Sequence, residues 1–87
     1  MTRVHLPTAL GTYTGGRTEV EARGTTLAAL LDDLETQFPG LRFRIVDEQD
    51  RIRPHVRMFV HGDMAPTLAV PVGTGQDVQV LLALSGG

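Results

Sequence analysis

Residues 25–40 read TTLAALLDDLETQFPG, and the way this stretch folds decides what the rest of the chain can be. Leu27, Leu30, Leu31, Leu34 and Phe38 recur at helical spacing and share one face, while Asp32, Asp33, Glu35 and Gln37 line the opposite one. Thr25 or Thr26 stands where a helix start needs a hydroxyl to accept from a free N–H, and Pro39-Gly40 stops the run. The expectation is an amphipathic helix whose solvated face carries the acids, Asp32 and Asp33 among them.

Working outward, Val4 to Leu10 alternates well enough for a first strand, with Pro7 removing a ladder donor and so marking an edge or a bulge. GTYTGGR follows as a turn, and Thr18 to Arg23 alternates polar with apolar, so the two strands read as a hairpin. Beyond the helix, residues 41–55 show no clean period and read as an irregular connection, in which a short helical turn can anchor Leu41, Phe43 or Ile45. Val56 to His61 is a strand, Leu68 to Val72 a shorter one broken by Pro71, and Val78 to Leu84 the most apolar strand of all. This order describes an α+β fold, a mixed sheet packed on one main helix: the β-grasp, or ubiquitin-like, arrangement. Its first and last strands should lie parallel at the centre, where burial on both sides suits continuous apolar character. Residues 1–84 are expected to form the single domain and residues 85–87 a flexible tail, because glycine loses the most freedom on ordering and gains no side-chain contact.

Composition narrows the function. An 87-residue chain without cysteine has no disulfide and no thiolate for metal or catalysis, so packing must stabilise it. All eight basic side chains are arginine, which leaves the N-terminus as the one amino group and no lysine for attachment of another copy. A net charge of -2 without a basic stripe argues against a nucleic-acid partner. No run is apolar enough for a membrane helix, and Met1 to Leu10 lacks a signal peptide's hydrophobic middle. A soluble, cytoplasmic protein is expected.

Several motifs invite a catalytic or ligand-binding reading that their context denies. Gly11 to Thr18 matches a phosphate-binding loop with Arg17 in place of lysine, yet strand alternation follows where the phosphates need a helix. His5, His55 and His61 sit at no short ligand spacing from one another. Ser85 lies in the tail and has no rigid position from which to attack. Adjacent Asp32 and Asp33 diverge on a helix, the wrong geometry for paired acid and base work. No metal, cofactor or catalytic residue is assigned.

More informative is the outer face of the sheet. With Val56, Met58 and Val60 turned inward, alternation turns Arg57, Phe59 and His61 outward; with Val78, Val80, Leu82 and Leu84 inward, Gln79, Leu81 and Ala83 point out. If those strands are neighbours, Phe59, Leu81 and Ala83 form an exposed apolar patch beside Arg57, of the kind that marks a partner surface. The alternative is that residues 62–76 fold over it.

Taken together, LPTALGTYTGG, GTTLAALLDDLETQFPGL, VRMFVHG and the final Gly-Gly make the chain resemble, over nearly its whole length, the ubiquitin-like sulfur carriers. This is the family of the molybdopterin synthase small subunit and the thiamine-pathway carrier, and the likeness is strongest to the branch typified by the carrier of a mycobacterial cysteine-biosynthesis route. LALSGG stands where that family usually has something close to AVAGG, and His61 where asparagine is common. The resemblance implies a protein substrate rather than an enzyme. An E1-like, ATP-dependent activating enzyme adenylates the terminal carboxylate, sulfur replaces AMP, and the thiocarboxylate passes sulfur to an acceptor enzyme. Gly87 is then the modified residue, Gly86 and Ser85 give clearance into a narrow channel, and the patch docks the body. A ubiquitin-like modifier conjugated through the same glycine, or a plain β-grasp binding module with an idle tail, would share most of these features.

Overall fold

The computed structural model describes residues 1–83. Four strands and a two-residue fifth form one mixed sheet: β1 (Thr2–His5), β2 (Glu19–Ala22), β3 (Val56–Val60), β4 (Asp63–Met64) and β5 (Val78–Leu82), in the order β2-β1-β5-β3-β4. β1 pairs antiparallel with β2 and parallel with β5, so first and last strands are central as expected. Three helices accompany them: α1 (Gly11–Thr14), α2 (Leu27–Gln37) and α3 (Leu41–Ile45).

Leu27, Leu30, Leu31 and Leu34 of α2 are fully buried and pack on Val4, Val20, Ala22, Val56, Met58, Val78 and Val80 of the sheet, with Phe38 half-buried at the rim. Thr26 is the N-cap, its Oγ1 accepting from the Ala29 N–H at 3.2 Å. At the other end Gly40 turns the chain at φ 96°, and the Glu35 carboxylate accepts from the N–H groups of Gly40 at 2.8 Å and Arg42 at 2.9 Å. A side chain of α2 thus satisfies the first free donors of α3. α3 is the helical turn anticipated within residues 41–55; Leu41 and Ile45 are its anchors, while Phe43 faces solvent.

Several sequence expectations are corrected. The first strand ends at His5, not Leu10, so Pro7 marks neither an edge nor a bulge but lies beyond the strand's end. Pro7, at φ -70° and ψ 152°, precedes a 3-10 turn over Thr8–Leu10 that runs into α1. Having no N–H, Pro7 could not continue the ladder, and the chain turns there. The anticipated GTYTGGR turn is thus largely helical, and the helix precedes Gly15-Gly16 instead of following it, contrary to what a phosphate loop requires.

Leu68 to Val72 is not a strand. Its carbonyls serve α2 instead: the Leu27 N–H donates to the Val70 O and the Ala28 N–H to the Leu68 O, both at 3.1 Å, while the Val72 N–H donates to the Thr25 O at 2.9 Å. Helix N-termini carry donors without intrahelical partners, and this segment, a turn at Leu68-Ala69 followed by a single bridge between Thr26 and Pro71, supplies acceptors. The fourth strand is Asp63–Met64, joined to β3 by the two-residue loop His61-Gly62, both at positive φ (50° and 88°). That is the backbone of a tight hairpin turn, so His61 lies outside the strand in which the sequence reading had included it.

Candidate functional site

β3 and β5 are neighbours, and their antiparallel register sets Arg57 opposite Leu81 and Phe59 opposite Gln79. Residues directly opposite one another share a face. Val56, Met58, Val60, Val78 and Val80 are buried, which turns Arg57, Phe59, Gln79 and Leu81 to the outer face, with Leu81 48% exposed and Phe59 half-buried. Ala83 is exposed beyond the end of β5. The structure therefore brings Phe59, Leu81 and Arg57 together on one surface and sets Ala83 at its end.

Residues 62–76 do not cover this surface. Ala65, Leu68 and Val72 enter the core, and the carbonyls of residues 68 and 70 bond to the start of α2. The segment instead adds to the patch: Met64 pairs with Phe59 across the β3–β4 hairpin and is 60% exposed. The sequence reading missed Met64. The available signal was the His-Gly dipeptide, which can make the same two-residue turn as the commoner Asn-Gly.

Toward β1 and β2 the same face becomes polar. His5, opposite Glu19 and Gln79 in the ladder, has Nε2 3.2 Å from Asp77 Oδ2 and Nδ1 3.7 Å from Glu19 Oε1, and Arg3 Nε lies 3.4 Å from Glu19 Oε2. Among the described residues no group of three histidine or acidic side chains is placed to hold a metal ion. Asp33 is more than a solvated acid: it accepts from the Arg23 N–H and from Gln37 Nε2, both at 2.9 Å, while Gln37 also donates to the Glu21 O at 2.8 Å. These two side chains of α2 occupy polar groups on the outer edge of β2, which would otherwise invite strand addition. Asp32 lies 3.2 Å from Arg42 Nε.

Backbone N–H groups of Gly40 and Arg42 hold the Glu35 carboxyl below its ordinary range, and those of Arg51 and Gln49 do the same for Asp47. The Asp50 carboxylate raises Arg42 further. All three groups tie helix ends and turns together.

At the end of β5 the Ala83 N–H donates to the His55 O at 2.7 Å, the last bond of the described chain. Gly87, the residue expected to be modified, and Gly86 and Ser85, expected to give clearance, lie with Leu84 outside the described residues. Because β5 runs parallel to β1, this end of the sheet is also where β1 gives way to the 3-10 turn and α1.

Residues 4–87 match the model of the ThiS family. The chain belongs to that family. Among its relatives, sulfur carrier protein CysO of Mycobacterium tuberculosis is 34% identical over 89 residues, an alignment spanning 97% of this chain and 96% of the relative. The CysO of the Amycolatopsis orientalis BexX/CysO complex superposes with a TM-score of 0.91 at 31% identity, covering 100% of both chains. The crystal structure of M. tuberculosis CysO gives 0.91 at 30% identity, covering 97% of this chain and 100% of that one. SAMP1 of Haloferax volcanii, at 24% identity and a TM-score of 0.75, shares the fold. The ubiquitin-like β-grasp architecture of this ThiS-family chain is thereby established. No helix of its described residues is long and apolar enough to cross a membrane.

Proposed function

We propose that the protein is a sulfur carrier, a substrate rather than a catalyst, whose Gly87 carboxylate is the working group. The family match that extends through Gly87 carries this reading, and the relatives named as sulfur carriers support it. A carboxylate is a poor acyl donor because its leaving group would be an oxide. Attack of the Gly87 carboxylate on the α-phosphate of ATP expels pyrophosphate and gives a mixed anhydride with AMP. Sulfide then adds to the acyl carbon and AMP departs, leaving a thiocarboxylate whose sulfur is the new nucleophile. The activating enzyme contributes the catalysis. This chain contributes reach and recognition: Gly86 and Gly87 have no side chains to obstruct a narrow channel, and Phe59, Met64 and Leu81 offer an apolar face for the enzyme body beside the end of β5. With no cysteine in the chain, no side-chain thiol competes to carry the sulfur.

Intact mass of the protein isolated from its own cells tests the proposal. The expected result is a fraction heavier by the exchange of one oxygen for sulfur, located at Gly87 by fragmentation and lost when Gly86 and Gly87 are deleted. Isopeptide remnants of this chain on lysines of other proteins, without that exchange, would assign it as a modifier. Unaltered cellular function after the deletion would leave it a binding module.

A further inference from the structure

We propose that Phe43, Arg44, Arg53 and Arg57 form a second contact surface, a basic ridge with an aromatic at its crest, that grips an acidic rim on the enzyme receiving the C-terminal end. This rests on the carrier reading above and specifies the partner chemistry beside the tail.

Charge distribution is the first reason. Five of the eight arginines (42, 44, 51, 53 and 57) fall within sixteen residues that hold three carboxylates, Asp47, Glu48 and Asp50, in a chain whose net charge is -2. Arg42 is committed to Asp50 at 2.6 Å and Asp32, and Arg51 to Asp47. Arg44, Arg53 and Arg57 form no ion pair among the described residues.

The second reason is Phe43. Its helix buries Leu41 and Ile45 completely yet leaves this ring 51% exposed, with the Arg53 guanidinium 4.8 Å from its centroid. Arg53 Nε also donates to the Phe43 O at 2.8 Å, and Arg57 Nη1 donates to the Pro54 O at 2.6 Å and the Val56 O at 3.0 Å. Both guanidinium groups are therefore fixed by the backbone while retaining further N–H donors. An arginine so placed has already lost the freedom that binding would otherwise cost, and its planar fork suits a carboxylate.

Location is the third. Arg53 and Pro54 lead directly into His55, whose carbonyl holds Ala83, and Arg57 stands opposite Leu81. The ridge thus continues the apolar face of the sheet around the point where the described chain ends. A channel mouth bordered by acidic side chains would meet the positive charge of this ridge beside the point where the described chain ends, which orients the carrier on its partner.

The test is carrier-dependent ATP–pyrophosphate exchange by the ATP-dependent activating enzyme of the same organism, with Arg44→Glu, Arg44→Glu/Arg53→Glu and Phe43→Ala carriers checked for an unchanged thermal melt. Arg44 makes no described side-chain bond, so its single variant keeps the test alive if the double one misfolds. The expected result is a KM for the double variant raised roughly tenfold or more with kcat within about twofold, and a KM that no longer rises steeply with salt as it does for the natural carrier. A KM within about twofold of the natural value, in a variant that folds, overturns the ridge. If the natural carrier supports no exchange and acquires no thiocarboxylate, the carrier reading itself has failed and the ridge fails with it; exchange with the natural carrier and equal exchange with the variants condemns the ridge alone.

Discussion

Gly24 shows how much of the fold can turn on one residue. It links β2 to α2 at φ 155°, and a Cβ there would stand 2.6 Å from the Leu30 N and 2.8 Å from Ala29 Cβ. Gly24→Ala is expected to cost at least about 1–3 kcal/mol, since neither the backbone angle nor the helix can yield cheaply; a urea midpoint equal to the natural one would mean the strand–helix crossing relaxes. Glu35 is a residue whose contribution depends on pH. Its carboxyl is held low in the folded state, so the unfolded chain binds protons first as acid is added. The stabilisation is fully present above a glutamate's ordinary value of about 4.3 and is lost as pH falls through the depressed folded value, with Asp47 acting in the same sense. Melting temperature should accordingly fall between about pH 5 and pH 3, and less steeply in Glu35→Gln; an identical fall in that variant would show that the tie to Gly40 and Arg42 does not titrate. None of this was legible beforehand, because a glutamate at a helix end looks the same in sequence whether it faces water or two N–H groups.

At the scale of elements, α2 was readable because its pattern is strong and local: four leucines at helical spacing, a threonine cap and a Pro-Gly stop all agree. Leu31 lies fully within the resulting core. Leu31→Ala should therefore lower stability by about 2–5 kcal/mol, and native stability in that variant would refute the assigned helix face. The short elements were less legible. Two residues of β4 carry too little pattern to announce a strand, and the apolar run at Leu68 to Val72 looks like one in sequence although its carbonyls are taken by α2. Pro7 was rightly seen as a break in the ladder, but whether a break means an edge, a bulge or a strand end depends on neighbours that lie elsewhere in the chain.

For the whole molecule, the decisive fact is that β5 lies between β1 and β3, so the chain leaves the middle of the sheet with an apolar face on one side and the arginine ridge beside it. Leu81 is exposed on that face. Leu81→Asp is expected to leave the melting temperature within a few degrees, as surface changes generally do, while sharply reducing thiocarboxylate formation by the activating enzyme; full formation in a folded Leu81→Asp carrier would remove the face from the docking surface. Taken alone, the sequence determined the α+β class, the main helix and its buried face, the inward and outward sides of β3 and β5, and the family, because periodicity, caps and motifs are local and written residue by residue. Only the tertiary structure decided that the segment after β3 passes to the helix side and leaves Phe59 and Leu81 open, that Met64 joins them, and that Phe43 and Arg53 meet beside His55. Those are contacts between residues far apart in the chain, and their geometry follows from which backbone donors and acceptors find partners once the sheet and α2 have closed the core.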